Sequence, residues 1–285
     1  MREKDAVRFL YPIPAALRDR GGVEPVPIDL AGTDPGDSIA RIIAETGTFY
    51  EAPLLEHLAE RGPLGGIYLD VGANIGNHAV YFARFLADFV VAVEPNPQLL
   101  PLLSRNLRLN GRGNWTVVAA AAGAAAGWGR LRPGPADNVG GTKVVDLPPA
   151  GAPLPSAVPL LPLDTVVARL ASCRGRAVTL VKLDIEGMEL AALRGAETLL
   201  RAQRPQLVVE VGTTPARRAI IAFLAAFGYR VAAQFVEHVG IFTYHFVNPV
   251  RHELRGAPTA AERWFAAEPE AADRLAWDRA RPDPA

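Results

Sequence analysis

A short glycine-containing stretch, DVGANIGN, holds the first residues that could bind a ligand. Gly72 and Gly76 allow the backbone to turn tightly and to approach a ligand closely, and Asn74 is one of the few residue types with a side chain that tolerate a left-handed conformation. The turn exposes the N-terminus of the helix that follows, which favours a carboxylate or a phosphate. Taken alone, the stretch fits a nucleotide as well as an amino-acid carboxylate.

An acidic residue, Glu94, ends the next apolar run. It stands about twenty residues after the glycine turn, from where a carboxylate accepts hydrogen bonds from both ribose hydroxyls of a nucleotide. The turn has the spacing GxxxG and lacks the full GxGxxG pattern that seats a pyrophosphate on a helix end. These features favour S-adenosylmethionine over a dinucleotide, so a nicotinamide dehydrogenase is the least favoured enzyme class.

A charged segment, KLDIEGME, ends a later apolar run. Alternation along a strand predicts that Lys182, Asp184 and Glu186 face the same side near its carboxyl end. A Lys–Asp pair keeps the carboxylate ionised, so that it could favour a sulfonium or accept a proton from a substrate. The alternative interpretation is a capping cluster for the next helix, which is the role expected of Glu189.

Histidines offer a further candidate base. His78 is predicted in the first turn of the helix after the glycine turn, where the positive helix end disfavours its protonation. Packing against the N-terminal segment explains His78 equally well. His238 and His245 flank the last predicted hairpin without metal-ligand spacing, so no metal is expected, although an Mg²⁺ site at Asp184 and Glu186 stays open.

These residues are positioned by apolar runs that alternate with helical patterns. Strands are predicted within 67–72, 89–97, 115–123, 177–187, 206–211 and 229–235, with a final antiparallel strand at 240–247. Helices are predicted from Ser38 and within 53–61, 77–87, 98–111, 163–171, 188–203 and 215–228. This order predicts an α/β fold with a mostly parallel sheet, helices on both faces, and ligands outside the carboxyl ends of the strands.

The segments around this alternation are less regular. Residues 1–64 are predicted to be a lead-in, loosely packed over 1–37, followed by a helical cover. Residues 65–250 form the main domain, within which the Gly/Pro-rich stretch 124–162 is expected to form hairpins or a flap. Residues 251–285 are expected to be a helical tail, with Trp264, Phe265 and Trp277 as packing anchors.

Four motifs together resemble FkbM-type methyltransferases over about residues 45–245: DVGANIGNH, VVAVEPNP, DNVGGT and VKLDIEGMELAALRGAETLL. The resemblance implies a class I methyltransferase fold with a Rossmann-like sheet, S-adenosylmethionine as cofactor, S-adenosylhomocysteine as product, and transfer to hydroxyls, often of natural products or glycans. One departure is the alanine-rich run 119–123, where such proteins usually carry an acidic or polar residue. Adenine contacts there are therefore expected from the backbone.

The resemblance also implies roles for individual residues. The residues expected to bind the cofactor are Asp70, Gly72, Ala73, Asn74, Gly76, Asn77, Glu94, Pro95, Asn96 and Asp184. Those expected to bind the substrate are Asn138, Gly140, Gly141, Thr142 and Lys182. The catalytic base is expected among Asp184, Glu186 and His78.

Composition narrows the classes of partner. Thirty basic and thirty acidic residues leave a formal net charge of +0, so no overall field attracts nucleic acid or an anionic membrane. Cys173 is the single cysteine, and neither a secretory signal nor an apolar run of about 20 residues is present, so a cytoplasmic protein is expected. A small-molecule or glycan acceptor is expected. Methylation of nitrogen or a carboxylate, a catalytically silent cofactor-binding partner in a biosynthetic complex, and a homo-oligomer stay open.

Overall fold

The computed structural model describes residues 6–18, 24–31, 38–132, 142–146, 157–238 and 241–250. Within these ranges, a seven-stranded sheet carries helices on both faces, and two smaller sheets adjoin it. Three of the predicted substrate residues, Asn138, Gly140 and Gly141, lie outside the described residues, as does the predicted tail 251–285.

The strands follow the predicted order along the chain. They are β1 (Ala6–Tyr11), β2 (Val26–Ala31), β3 (Ile67–Val71), β4 (Phe89–Val93), β5 (Trp115–Val118), β6 (Ala121–Ala122), β7 (Gly127–Arg132), β8 (Lys143–Asp146), β9 (Ala157–Leu161), β10 (Val178–Leu183), β11 (Gln206–Val211), β12 (Arg230–His238) and β13 (Ile241–Val247). The large sheet has the order β12-β13-β11-β10-β3-β4-β5, and β13 runs antiparallel to both of its neighbours. The predicted mostly parallel sheet with a final antiparallel strand is confirmed.

The helices also lie close to their predicted positions. They are α1 (Ser38–Thr46), α2 (Ala52–Arg61), α3 (Asn77–Tyr81), which continues as a π-helical turn (Phe82–Leu86), α4 (Leu100–Asn110), α5 (Leu163–Arg169), α6 (Glu189–Arg194), α7 (Glu197–Ala202) and α8 (Thr214–Ala225). None of the helices in the described part of the chain is both long and apolar enough to cross a bilayer.

One predicted helix, over 188–203, is divided into α6 and α7 near Gly195. A Cβ at Gly195 would lie 2.1 Å from the carbonyl oxygen of Gly123, so the two backbones touch there. The carboxylate of Asp164 accepts hydrogen bonds from the amides of Thr198 and Leu199, at 2.9 and 2.8 Å. Tertiary contacts thus stabilise the start of a second helix, which periodicity alone does not reveal.

Alternation along the central strands divides the core into two layers. Tyr68 of β3 and Val90 of β4 pack with α2, α3 and α4 on one face, whereas Leu69 and Val91 pack with α5 to α8 on the other. Strand side chains that are apolar on both faces are typical of a covered parallel sheet. The layered arrangement leaves the carboxyl ends of the strands open to ligands.

The N-terminal segment differs from the loosely packed lead-in that the sequence predicts, and that prediction is wrong for its described part. Strands β1 and β2 pair antiparallel, from Ala6 opposite Ala31 to Tyr11 opposite Val26. Their alternate side chains, including Phe9 and Ile28, are buried in the core. Each strand is short and contributes few inward residues, so no sustained period appears in the sequence.

Two asparagines of α4 fix this N-terminal sheet to the main domain. Asn106 accepts a hydrogen bond from the amide of Ala31 and donates to the carbonyl oxygens of Ala31 and Ile75, at 2.8, 2.9 and 2.7 Å. Asn110 makes the equivalent pair of bonds with the backbone of Asp29, at 2.9 and 2.7 Å. Because Ile75 belongs to the glycine turn, the buried side chain of Asn106 holds both strand β2 and the turn.

The described parts of 124–162, for which the sequence predicts hairpins or a flap, include strands β7, β8 and β9. Strands β6 to β9 make a four-stranded sheet in the order β6-β9-β7-β8, and β7 runs antiparallel to both β8 and β9. This sheet begins directly after β5, beside the carboxyl ends of the central strands.

Candidate active site

A cleft of about 630 Å³ lies at the carboxyl ends of β3, β4 and β10. Its lining includes predicted site residues from all four motifs of the chain: Gly72, Asn74, Glu94, Pro95, Asn96, Thr142, Asp184 and Glu186. The parallel sheet thus brings together segments that are more than one hundred residues apart.

The glycine turn approaches the end of β10 so closely that only glycine fits at its first position. Gly72 has φ +80°, and a Cβ there would lie 1.8 Å from the carbonyl oxygen of Asp184. The turn is also bonded to β4, because the amide of Gly72 donates to the carbonyl oxygen of Val93 at 2.9 Å. Asn74 adopts the left-handed conformation, with φ 51°, which the sequence predicts.

The Glu94 carboxylate in the cleft is held by two backbone amides. Its Oε2 accepts a hydrogen bond from the amide of Asn74 at 2.9 Å, and its Oε1 accepts one from the amide of Asn96 at 2.8 Å. Burial raises the pKa of Glu94 to about 7, although the two backbone bonds oppose the shift. A carboxylate held in this way has further lone pairs available to hydroxyl donors in the cleft.

Lys182 pairs with two carboxylates at the end of β10. Its Nζ lies 3.0 Å from Oδ2 of Asp184 and 3.7 Å from Oδ1 of Asp70. Burial opposes the charge on Lys182, but the two carboxylates raise the pKa of its ammonium above the usual value. Lys182 is therefore charged, and it orients Asp184, whose side chain is 27% exposed and lines the cleft.

The prediction that Glu186 continues this alternation is wrong. Strand β10 ends at Leu183, and Glu186 has φ 57° in the turn that follows. Glu186 still lines the cleft, where burial and the charge of Asp184 raise the pKa of its carboxyl group. Glu189 has the expected capping position, because its Oε1 accepts hydrogen bonds from the amides of Gly187 and Ile185, at 2.9 and 3.2 Å.

His78 lies outside the lining of the cleft and contacts Glu51 of the N-terminal cover. It lies in α3, and its Nε2 is 2.9 Å from Oε2 of Glu51. Burial, together with the charge of Lys182, lowers the pKa of His78 to about 3, so the imidazole is neutral. Glu51 is a residue that sequence reasoning missed; its φ of 58° and buried side chain give no signal in the sequence.

Some of the predicted site residues support the cleft without lining it. Asn77 was expected to bind the cofactor, but its side chain accepts from the amide of Tyr50 at 3.0 Å and donates to the carbonyl oxygen of Tyr50 at 2.9 Å. Gly76 has φ +94° and packs against Leu103. In the described part of the chain, the predicted residues outside the lining are Asp70, Ala73, Gly76, Asn77, His78 and Lys182.

Apolar residues complete the cleft. The alanine-rich run contributes Ala120, Ala121 and Ala122, and Leu131 and Val144 come from the four-stranded sheet. The sequence motifs do not identify these two residues, because their position depends on how β7 and β8 fold over the strand ends. Among the described residues, no group of His, Cys, Asp and Glu side chains could hold a metal ion.

Comparison with known protein families matches residues 70–231 to the Methyltransferase FkbM domain. This chain belongs to the FkbM methyltransferase family. The predicted membership of this family is thereby confirmed. The matched range includes the glycine turn, Glu94 and the charged end of β10.

Solved structures similar to this FkbM chain include a methyltransferase FkbM from Methylobacillus flagellatus KT, with 20% identity, 64% of this chain covered, 43% of that chain covered and a TM-score of 0.44. A putative methyltransferase from Streptococcus mutans in complex with SAH has 12% identity, coverages of 68% and 95%, and a TM-score of 0.43. A putative RNA methyltransferase from Pyrococcus horikoshii has 13% identity, coverages of 69% and 79%, and a TM-score of 0.38. Thus the match spans less than half of the first relative. No curated protein matches the sequence.

Proposed function

We propose that this FkbM-family protein uses S-adenosylmethionine to methylate a hydroxyl group of a natural product or a sugar. The observation that carries the proposal is the convergence of three groups on one cleft: the Gly72 turn, the Glu94 carboxylate and the Asp184 carboxylate. A close-approach turn and a fixed acidic acceptor suit a nucleoside, and a second carboxylate is available for a proton.

Different residues of the cleft would contact different parts of the cofactor. Glu94, which lines the cleft, would accept hydrogen bonds from the ribose hydroxyls, and the alanines at 120–122 would form an apolar wall for the adenine. The left-handed conformations of Gly72 and Asn74 would bring the backbone of the turn close to the amino-acid part of S-adenosylmethionine. When bound, S-adenosylmethionine supplies a methyl group that is already activated by its sulfonium.

Asp184 is the proposed proton acceptor. It lines the cleft, and its Oδ2 is held 3.0 Å from the ammonium of Lys182, which fixes its orientation. As an acceptor hydroxyl is methylated, it must lose its proton, and a positioned base typically contributes about 10²–10⁴-fold to the rate. Glu186 lines the same cleft, and His78, which contacts Glu51, is the third predicted base. Variants of both residues are therefore compared with a variant of Asp184.

The cofactor assignment is tested by calorimetric titration of the purified protein with S-adenosylmethionine, S-adenosylhomocysteine and NAD. We expect both sulfur nucleotides to bind and NAD not to bind, and we expect Glu94→Ala to weaken binding at least about tenfold. Glu197→Ala is the matched control, because Glu197 is exposed and pairs with Arg201 on the surface. Binding of NAD alone by the folded protein would contradict the assignment.

The acceptor chemistry is tested by incubating the protein and labelled S-adenosylmethionine with a panel of hydroxyl-bearing small molecules. A methyl ether resists mild alkali, whereas a methyl ester is hydrolysed, so the stability of the labelled product separates hydroxyl from carboxylate methylation. We expect Asp184→Asn to lower kcat by about 10²–10⁴-fold, with smaller losses for Glu186→Gln and His78→Asn. Unchanged turnover in Asp184→Asn would contradict its role. Cofactor binding without transfer to any acceptor would favour a catalytically silent partner.

A further inference from the structure

A second groove lies at the opposite end of the large sheet from the cleft. It has a volume of about 670 Å³, and its lining includes Arg84, Asp88, Arg112 and Asn114. Asp88 directly precedes β4 and Asn114 directly precedes β5, so the groove lies at the amino ends of these two strands. Its lining shares no residue with that of the cleft.

Two arginines of this lining lie close enough together to repel each other. Arg84 belongs to the π-helical turn after α3, and Arg112 follows α4. Burial, and then the like charge of Arg112, lower the pKa of the Arg84 guanidinium. In the part of the chain that the structure describes, neither guanidinium forms an ion pair. An anion bound between the two cations would replace their repulsion by attraction.

One asparagine joins the two segments that carry these arginines. The Oδ1 of Asn114 accepts a hydrogen bond from the amide of Arg112 at 3.1 Å, and its Nδ2 donates to the carbonyl oxygen of Ala83 at 3.0 Å. Ala83 directly precedes Arg84. Asn114 is also fixed to the sheet, because Val90 of β4 donates its amide hydrogen to the Asn114 carbonyl oxygen at 2.9 Å. The backbone at both arginines is therefore held before a ligand arrives, which lowers the entropic cost of binding.

The acidic residue of the groove restricts the kind of anion that fits. Asp88 lines the groove beside the arginines, and its Oδ2 accepts a hydrogen bond from the amide of Gly66 at 2.7 Å. A nucleic acid is bound by a row of cations that neutralise several phosphates, and Asp88 would repel a second phosphate in the groove. Two cations and one carboxylate thus favour a single anionic group over a polyanion.

We propose that this groove binds the phosphate group of a small molecule, and that Arg84 and Arg112 both donate hydrogen bonds to its oxygens. A guanidinium donates two parallel hydrogen bonds, and a phosphate monoester has three terminal oxygens to share between two such groups. A carboxylate has only two oxygens, which a single guanidinium occupies. The site is separate from the proposed methyl transfer, and its test does not require S-adenosylmethionine.

The test is equilibrium dialysis of the purified protein against radiolabelled inorganic phosphate. Sodium chloride keeps the ionic strength constant, so that the screening of charges is the same in every sample. Arg84→Gln and Arg112→Gln each remove one guanidinium from the groove. Arg108→Gln is the matched control, because it removes a guanidinium from an exposed position of α4 outside the groove. Thermal unfolding followed by circular dichroism checks that each variant is folded.

We expect the wild type to bind phosphate saturably, and each groove variant to bind it at least about tenfold more weakly. Arg108→Gln should stay within about twofold of the wild type. Glycerol phosphate should displace the labelled phosphate, and acetate should compete at least about tenfold less well. The proposal is overturned if the wild type shows no saturable binding, if Arg108→Gln loses as much affinity as the groove variants, if glycerol phosphate does not compete, or if acetate competes equally well.

Two further competitors identify the source of the phosphate group. Vesicles of phosphatidylcholine and phosphatidic acid present a phosphate monoester on a lipid surface, and a single-stranded oligonucleotide presents a row of phosphodiesters. At the same total concentration of phosphate groups as glycerol phosphate, we expect neither to displace the labelled phosphate. Displacement by the vesicles would assign the groove to a lipid surface, and displacement by the oligonucleotide would assign it to a nucleic acid. Either result would overturn the proposal of a small-molecule ligand.

Discussion

Glu94 combines deep burial with two backbone hydrogen bonds, and this combination makes its protonation sensitive to a ligand. Burial disfavours the charged form, whereas the amides of Asn74 and Asn96 favour it, and the result is a pKa of about 7. Ribose hydroxyls that donate to the carboxylate stabilise the charged form further, so ligand binding should lower this pKa.

The first prediction therefore concerns the pH dependence of S-adenosylhomocysteine binding. With a pKa of about 7, Glu94 is mostly protonated at pH 6 and mostly ionised at pH 8. If the ionised form binds, affinity should rise about tenfold across that interval and level off above it. Calorimetry in two buffers of different ionisation enthalpy should detect proton release of up to about one per site below pH 7.

The matched variant for this prediction is Glu94→Gln, which keeps the side-chain shape and removes the titration. Its affinity for S-adenosylhomocysteine should be lower than that of the wild type at pH 8. Because residue 94 no longer titrates in this variant, the tenfold rise between pH 6 and pH 8 should be absent. Glu197→Gln alters an exposed carboxylate and should keep the wild-type profile. A pH dependence that persists in Glu94→Gln would assign the titration to another group.

At the scale of elements, the site depends on the contact between the ends of β3 and β10. The two strands are parallel neighbours, and Asp184 donates its amide hydrogen to the carbonyl oxygen of Val71 at 3.1 Å. The missing side chain at Gly72 allows the glycine turn to lie on this backbone. One close approach therefore sets the spacing between the glycine turn and the proposed base.

The second prediction compares alanine at two glycines that both have positive φ. Gly72→Ala should be strongly destabilising, because its Cβ would meet the Asp184 carbonyl oxygen at 1.8 Å in addition to the strain at φ +80°. Gly113→Ala has similar strain at φ +75° with nothing within 4 Å, so it should cost only about 1–2 kcal/mol. Urea unfolding measures both, and equal losses would show that the close approach is unimportant.

The order of elements could be predicted from the sequence, because buried strands appear as short apolar runs and helices as apolar residues at helical spacing. Since the carboxyl ends of parallel strands meet at one edge, the meeting of Gly72, Glu94 and Asp184 could be predicted as well. The left-handed turn that brings Glu186 to the cleft could not be predicted, because alternation does not reveal where a strand ends. Glu51 contacts His78 from a left-handed backbone conformation, and neither this conformation nor the contact leaves a periodic signal in the sequence.

At the scale of the whole molecule, the N-terminal segment is a structural part of the folded protein. Tyr11 of β1 packs edge-on against Phe49 and Tyr81, with ring centroids 5.1 and 5.6 Å apart. The segment that the sequence predicts as a loose lead-in thus buries part of the core.

The third prediction uses two neighbouring residues of β1 that face opposite ways. Tyr11 is 3% exposed, so Tyr11→Ala should lower the free energy of unfolding by about 3–5 kcal/mol, as is usual for removal of a buried aromatic ring. Leu10 is 67% exposed, so Leu10→Ala should cost under about 1 kcal/mol. Urea unfolding of both variants measures the difference. A lead-in that packs loosely would make both substitutions nearly neutral, whereas a large loss confined to Tyr11 means that the N-terminal strands unfold together with the methyltransferase core.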